Sequence, residues 1–157
     1  MTKKIDPVRP TDDTARDLAR DLIIAARHGA LAVLADGEPS VSRIALAPTD
    51  GQGLLTLISD LTSHTSALRA AARASVLIGE PGKGDPLAHP RITLKVEAAF
   101  IEKSEDAAAA YLAKQPKAQL YIGFADFHLV RLTPVSASLN GGFGKAYALE
   151  PGDLPTL

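Results

Sequence analysis

The chain has 157 residues, 46% of them apolar and 22% charged, with a formal net charge of −1. That composition suits one globular domain with a sizeable core, and it excludes disordered or fibrous classes. No basic block offers a footprint for nucleic acid or an anionic membrane, and no apolar run nears the roughly 20 residues needed to span a bilayer. The absence of cysteine rules out disulfides and thiolate metal sites, and the N-terminal residues lack a signal-peptide pattern. A cytoplasmic location is the expectation.

Residues 1–10 read as an extended arm ended by Pro10, ahead of a single domain over 11–157. Thr11 before Asp12 and Asp13 predicts a helix start, with Thr11 as the cap. Ala15, Leu18, Ala19, Leu22, Ile23 and Ala26 then recur at helical spacing, and Arg27-His28-Gly29 reads as the stop, with His28 as charge at the helix end. Short strands follow over Ala30–Ala35, Ser40–Ala47 and Leu54–Ser59, joined by the turns Asp36-Gly37 and Asp50-Gly51. Turns this tight predict an antiparallel meander, in which the second strand pairs with the third.

A helix is predicted from Ser63 to about Ala74, then a strand over Ser75–Gly79. Glu80–Pro90 is a proline- and glycine-bearing loop, of the length that is usually functional or disordered. Arg91–Glu102 alternates as the longest strand. Ser104-Glu105-Asp106 opens a third helix that Pro116 ends, Phe127–Leu132 alternates as another strand, and Val135–Leu139 reads as the last. Six or seven strands with peripheral helices give a mainly β, α+β domain on a barrel or curved sheet.

The densest chemical signal is Ser59-Asp60-Leu61-Thr62-Ser63-His64-Thr65-Ser66, where a strand runs into a helix through five hydroxyls. A helix start presents unpaired N–H groups and the positive end of the dipole, so this corner suits an anion such as phosphate. One hydroxyl would serve as an ordinary cap; five exceed that need. Arg43, in the strand Ser40–Ala47, can supply a planar guanidinium fork beside it if the meander brings Arg43 near Ser59. The four histidines show no zinc-site spacing, and there is no GxSxG, GxGxxG or P-loop pattern. Asn140-Gly141-Gly142-Phe143-Gly144 reads either as a tight turn or as backbone approaching a flat ligand, with Phe143 as a wall.

Five segments occur here in the order seen in one known family: Ser42-Arg43, Ser59–Ser66, Gly84–Arg91, Tyr121–Phe127 and Asn140–Gly144. On them the chain resembles the FMN-binding split-barrel proteins of the pyridoxamine 5′-phosphate oxidase-like superfamily, most of all its haem-utilisation branch. The resemblance implies a six-stranded antiparallel Greek-key split barrel with peripheral helices, forming a homodimer with flavin sites at the interface. It places the FMN phosphate on Ser42, Arg43, Ser59, Ser63, His64 and Thr65, and puts Asn140, Gly141, Gly142 and Phe143 near the isoalloxazine or the dimer seam. The implied function is an FMN-dependent oxidoreductase of unassigned substrate, with no metal and no catalytic residue assigned. Two alternatives remain open: a haem-binding or haem-degrading protein using His64, His89 or His128, and a flavin-binding module without turnover.

Overall fold

A computed structural model describes residues 6–157. The elements in chain order are β1 (Val8–Arg9), α1 (Asp13–Ala25), β2 (His28–Ala35), β3 (Glu38–Ala45), β4 (Ala47–Pro48), β5 (Leu54–Ser59), α2 (Ser63–Ala70), β6 (Arg73–Ile78), β7 (Arg91–Ile101), α3 (Glu105–Lys114), β8 (Phe127–Asn140) and β9 (Ala146–Leu149). Six strands of six residues or more (β2, β3, β5, β6, β7 and β8) carry the barrel. They pair antiparallel in the order β8-β7-β6-β2-β3, with β5 joined to the far side of β8. This is the expected split barrel. The short strands β1 and β9 extend the β8 edge, and Val8–Arg9 of the arm lie parallel to Ala146–Tyr147.

Local chemistry explains the helix ends. Asp12, rather than Thr11, caps α1, its carboxylate accepting from the Ala15 N–H at 2.8 Å, and Ser104 caps α3 by accepting from Ala107 N–H at 3.2 Å. α1 stops at Ala25, so His28 is the first residue of β2 and not a helix-terminal charge. α2 ends four residues short of Ala74, because the Ala72 carbonyl accepts from Ala98 N–H at 2.7 Å and draws the chain into β6.

β8 is one continuous strand through Pro134 where the sequence suggested two pieces. Val96 faces Pro134 while Lys95 faces Ser136, leaving Val135 as the unpaired residue of a bulge. A bulge is where a strand tolerates a residue without an N–H.

Two buried clusters sit on either side of β5. The barrel interior holds Leu31, Leu46, Ile92, Leu94, Val96, Val130 and Leu132, plugged by Ala19 and Ile23 of α1 and by Ala67 and Leu68 of α2. The second cluster lies under α3 and contains Leu55, Leu57, Tyr111, Ile122 and Leu129. β5 is therefore buried on both faces, and its run of apolar residues follows from that. Among the described residues no helix is long and apolar enough to cross a membrane.

Candidate functional site

The predicted β3–β5 pairing does not form. β3 pairs with β2 alone, while β5 pairs with β8 and with the two residues of β4. The physical reason is that β5 has an apolar outer face, which is buried only when the strand crosses to β8 under α3. Thr56 Oγ1 donates to the Ala45 carbonyl at 2.7 Å and closes the near end of the gap. Beyond that point β3 leaves an open edge.

The strand-to-helix corner lies at the far end of β5. Thr62 occupies the N-cap of α2 but makes no side-chain bond to the first turn. Among the described residues the backbone N–H groups of Ser63 and His64 find no acceptor. The hydroxyls of Thr62 and Thr65 turn the other way. Both reach the Ser59 carbonyl, at 2.9 and 2.6 Å, and they lie 2.8 Å from each other, so two protons serve three contacts. Ser59 Oγ donates to Asp126 Oδ2 at 3.2 Å and accepts from the Leu61 N–H at 3.1 Å. Ser59 and Thr65 are thus buried and engaged inside the corner, while Ser63 stands exposed at its mouth.

His64 is buried too, with Nδ1 3.2 Å from Ser42 Oγ across the split. Burial pushes its pKa down, which favours the neutral ring. Ser42 and Arg43, adjacent on β3, project to opposite faces. Ser42 looks inward to His64. Arg43 is exposed, has no ion pair or side-chain hydrogen bond among the described residues, and lines a cleft of about 830 Å³ on the outer face. Leu18 and Leu22 of α1, Ala30 of β2 and Leu77 of β6 form its apolar walls, with His28 and Glu80 at its margin.

The Asn140–Gly144 turn is elsewhere in the chain. Phe127, opposite Ser59, begins β8 and Asn140 ends it, which puts roughly 40 Å of strand between the turn and the α2 corner at about 3.3 Å per residue. Asn140 Oδ1 accepts from Gly142 N–H at 2.9 Å, and a Cβ at Gly142 (φ 117°) would approach the Ala88 carbonyl to 3.0 Å, so the turn seats on the Glu80–Pro90 loop. Phe143 is 67% exposed. Within one chain, then, Ser42, His64, Ser59, Ser63 and Thr65 come together, Arg43 flanks them on the outer face, and Asn140 to Phe143 do not join them.

Sequence reasoning missed three participants. Asp126 ties Ser59 to the loop before β8, reinforced by its carbonyl accepting from Asp60 N–H at 2.8 Å. Asp60 Oδ1 accepts from His128 Nε2 at 2.9 Å and from Arg69 at 3.1 Å, and Arg69 lies over the Phe100 ring at 4.5 Å. The His128 contact, aided by Arg69 and opposed by desolvation, holds the Asp60 carboxyl below its usual range. The third is His28, whose Nε2 lies 2.5 Å from Glu80 Oε1. Asp126 and Asp60 both stood inside segments the sequence had already singled out, Tyr121–Phe127 and Ser59–Ser66, but their partners come from distant elements.

No family model matches the sequence, and no curated protein does. Solved structures match closely. One is 42% identical over 92% of this chain and 98% of its own, with a TM-score of 0.83. A heme binding protein from Mycobacterium smegmatis is 31% identical, covering 93% of this chain and 60% of its own, with a TM-score of 0.80. A protein of unknown function from Agrobacterium tumefaciens is 32% identical, covering 98% and 66%, with a TM-score of 0.79. The chain therefore spans about two thirds or less of the length of the latter two. More distant structures share the fold, among them a general stress protein 26 relative of the pyridoxinephosphate oxidase family from Clostridium acetobutylicum, 10% identical with a TM-score of 0.70.

With that member of the pyridoxinephosphate oxidase family the chain shares the split-barrel fold. Campylobacter jejuni ChuZ and HutZ, the heme storage protein from Vibrio cholerae, share the fold at 21% and 22% identity. In this split barrel the split itself is the gap between β3 and β5, and α2 begins at its mouth.

Proposed function

We propose that the protein is a cytoplasmic FMN-binding flavoprotein, an oxidoreductase working as a homodimer. One observation carries this reading: the uncapped first turn of α2, whose Ser63 and His64 N–H groups have no acceptor among the described residues, opens on the barrel split where His64 meets Ser42, the chain neighbour of Arg43, and Arg43 has no partner among those residues. N–H groups at the positive end of a helix dipole, an exposed hydroxyl and a guanidinium fork are the donor set a phosphate monoester takes. The residues present fit the phosphate of FMN. Ser63 and the first-turn backbone would hold it, with Arg43 gripping it from the β3 side, while Ser59, Thr62 and Thr65 keep the corner rigid from beneath.

Bound FMN would supply hydride or electron transfer at its ring. The chain's contribution is to bind and orient. His64, kept neutral by burial, adds hydrogen-bonding capacity at the split without a fixed charge. The unpaired edge of β3 offers main-chain donors and acceptors alongside. The homodimer is supported by the position of Asn140–Phe143: at the opposite end of β8 from the α2 corner, this turn reaches a flavin there only from a second copy.

Flavin fluorescence quenching on titration with FMN tests the reading. Arg43→Ala removes a charge-assisted contact of about 1.5–3 kcal/mol, so the Kd rises about 10–100-fold. Equal FMN affinity of wild type and Arg43→Ala, or a monomer at micromolar concentration by sedimentation, contradicts it. NAD(P)H oxidation no faster than with free flavin would identify the protein as a binding module without turnover.

A further inference from the structure

β7 pairs with β8 along one edge, and the other edge of β8 is shared between two strands. β5 covers Phe127–Leu132 there and β9 covers Ala137–Asn140. Residues 133–136, which carry the Val135 bulge, therefore have no strand beside them on that edge. β5 begins only at Leu54, because Gly53 turns the chain away at φ 82°. The window left in the barrel wall opens on a cavity of about 220 Å³. Ile23, Leu54, Leu94 and Leu132 of the buried core line it, and Leu154 and Leu157 from the segment after β9 pack over it.

Arg131 is the one charged side chain among the lining residues, and it is half-buried. Its stem lies on the Gly53 backbone, where a Cβ would meet Cγ and Cδ at 3.2 Å. Nε donates to the Gln52 carbonyl at 2.7 Å and Nη2 donates to Gln52 Oε1 at 3.2 Å. The guanidinium is thus fixed by neutral oxygens. Among the described residues no carboxylate pairs with it, and Nη1 finds no acceptor. A guanidinium keeps its proton at any ordinary pH, so one held half-buried without a counter-ion favours an anion that supplies the missing charge. Thr133 borders the same cavity with a hydroxyl that makes no hydrogen bond among the described residues.

We propose that this cavity binds a small apolar monocarboxylate of about benzoate's size, its carboxylate on Arg131 and its body among the leucines. Capacity sets the size. An apolar protein cavity of about 150 Å³ stays dry and takes up benzene, so about 220 Å³ holds a six-membered ring with its carboxyl. The lining sets the class. Sugars and nucleotides would leave hydroxyls unpaired against leucine, and a dicarboxylate would bury a second charge with no cation to meet it. A fixed planar fork with a free Nη1 matches one carboxylate. Gly53 and Ser59 flank opposite ends of β5, roughly 20 Å apart at about 3.3 Å per residue, so this site is separate from the α2 corner and does not rest on the flavin reading.

Benzoate is titrated into the purified full chain and followed by the methyl NMR signals of Leu54, Leu94 and Leu132. Benzamide serves as the neutral probe of the same shape. Benzoate is expected to shift these methyls saturably, and benzamide to bind about tenfold or more weakly. Arg131→Met keeps an unbranched stem over Gly53 and should raise the benzoate Kd to the benzamide level, with benzamide itself changed less than about threefold. Leu157→Trp fills the cavity from a partly buried position outside the core, so the fold should persist by circular dichroism while both probes lose binding. Equal affinity of wild type for the two probes, unchanged benzoate affinity in Arg131→Met, or leucine methyls that do not respond overturns the proposal. Should Arg131→Met fail to fold, the benzamide comparison and Leu157→Trp decide the matter, and full benzoate affinity in Leu157→Trp overturns it as well.

Discussion

Replacing Thr65 by valine keeps the volume of a side chain that is 1% exposed and deletes one hydroxyl. That hydroxyl donates to the Ser59 carbonyl at 2.6 Å and lies 2.8 Å from Thr62 Oγ1. In the variant, Thr62 alone serves the Ser59 oxygen, from 2.9 Å. The loss is one buried hydrogen bond, with its acceptor still partly served, at a cost of about 1–3 kcal/mol. For a domain of this size each kcal/mol moves Tm by about 2–4 °C, so Tm should fall by about 2–12 °C. FMN affinity of the folded protein should change by less than about threefold, because the hydroxyl points into the corner and away from its mouth.

Ser63→Ala is the opposite case. Its side chain is exposed and unbonded among the described residues, so stability should hold within about 0.5 kcal/mol while FMN binding weakens. Scanning calorimetry and flavin quenching on both variants read the two effects separately. A Thr65→Val protein with unchanged Tm and FMN affinity reduced tenfold or more would refute the division of the corner into an inner scaffold and an outer ligand mouth.

Three further outcomes follow from titrating groups and from packing. The Asp60 carboxyl should titrate below the usual range near 4 in a carbon-detected NMR experiment, and should move upward in His128→Ala, because the His128 contact is the largest cause of its shift. Its stabilising contribution is present above the unfolded-state pKa near 4 and is lost as pH falls through the lower folded value. His64 works in the same direction for a different reason: with its folded pKa depressed by burial, the unfolded chain takes up the proton first. Stability should therefore decline as pH drops below about 6.5, and His64→Asn should flatten that part of the pH–Tm curve. Leu55→Ala, at a fully buried position of β5 beneath α3, should cost about 2–5 kcal/mol by urea denaturation, and should do so through the α3 cluster and not the barrel interior.

Short-range chemistry made several elements legible in the sequence. Ser104 caps α3 where expected, β5 runs from Leu54 to Ser59 as read, and α2 starts at Ser63, because caps, turns and alternation depend on residues three or four apart. The surplus hydroxyls around Ser59 were visible for the same reason. Their division was not: Ser59 and Thr65 face inward only because Asp126, 67 residues from Ser59, comes to meet that corner.

Pairing between strands was the main thing hidden, since a tight turn says that two strands are antiparallel neighbours but not whether the second will be drawn off by a larger apolar surface elsewhere. β5 has apolar residues on both faces, and burying both required β8 and α3, which opened the split beside β3. The same long-range assembly put His28 beside Glu80 at the edge of a cleft, 52 residues apart in the chain by their numbering, and sent Asn140–Phe143 to the other end of β8. The sequence by itself determined the strands, the helix starts and the anion-seeking corner, all set by local backbone chemistry. Which of those residues face one another was decided by the tertiary structure, because that is settled by which apolar faces can be buried together.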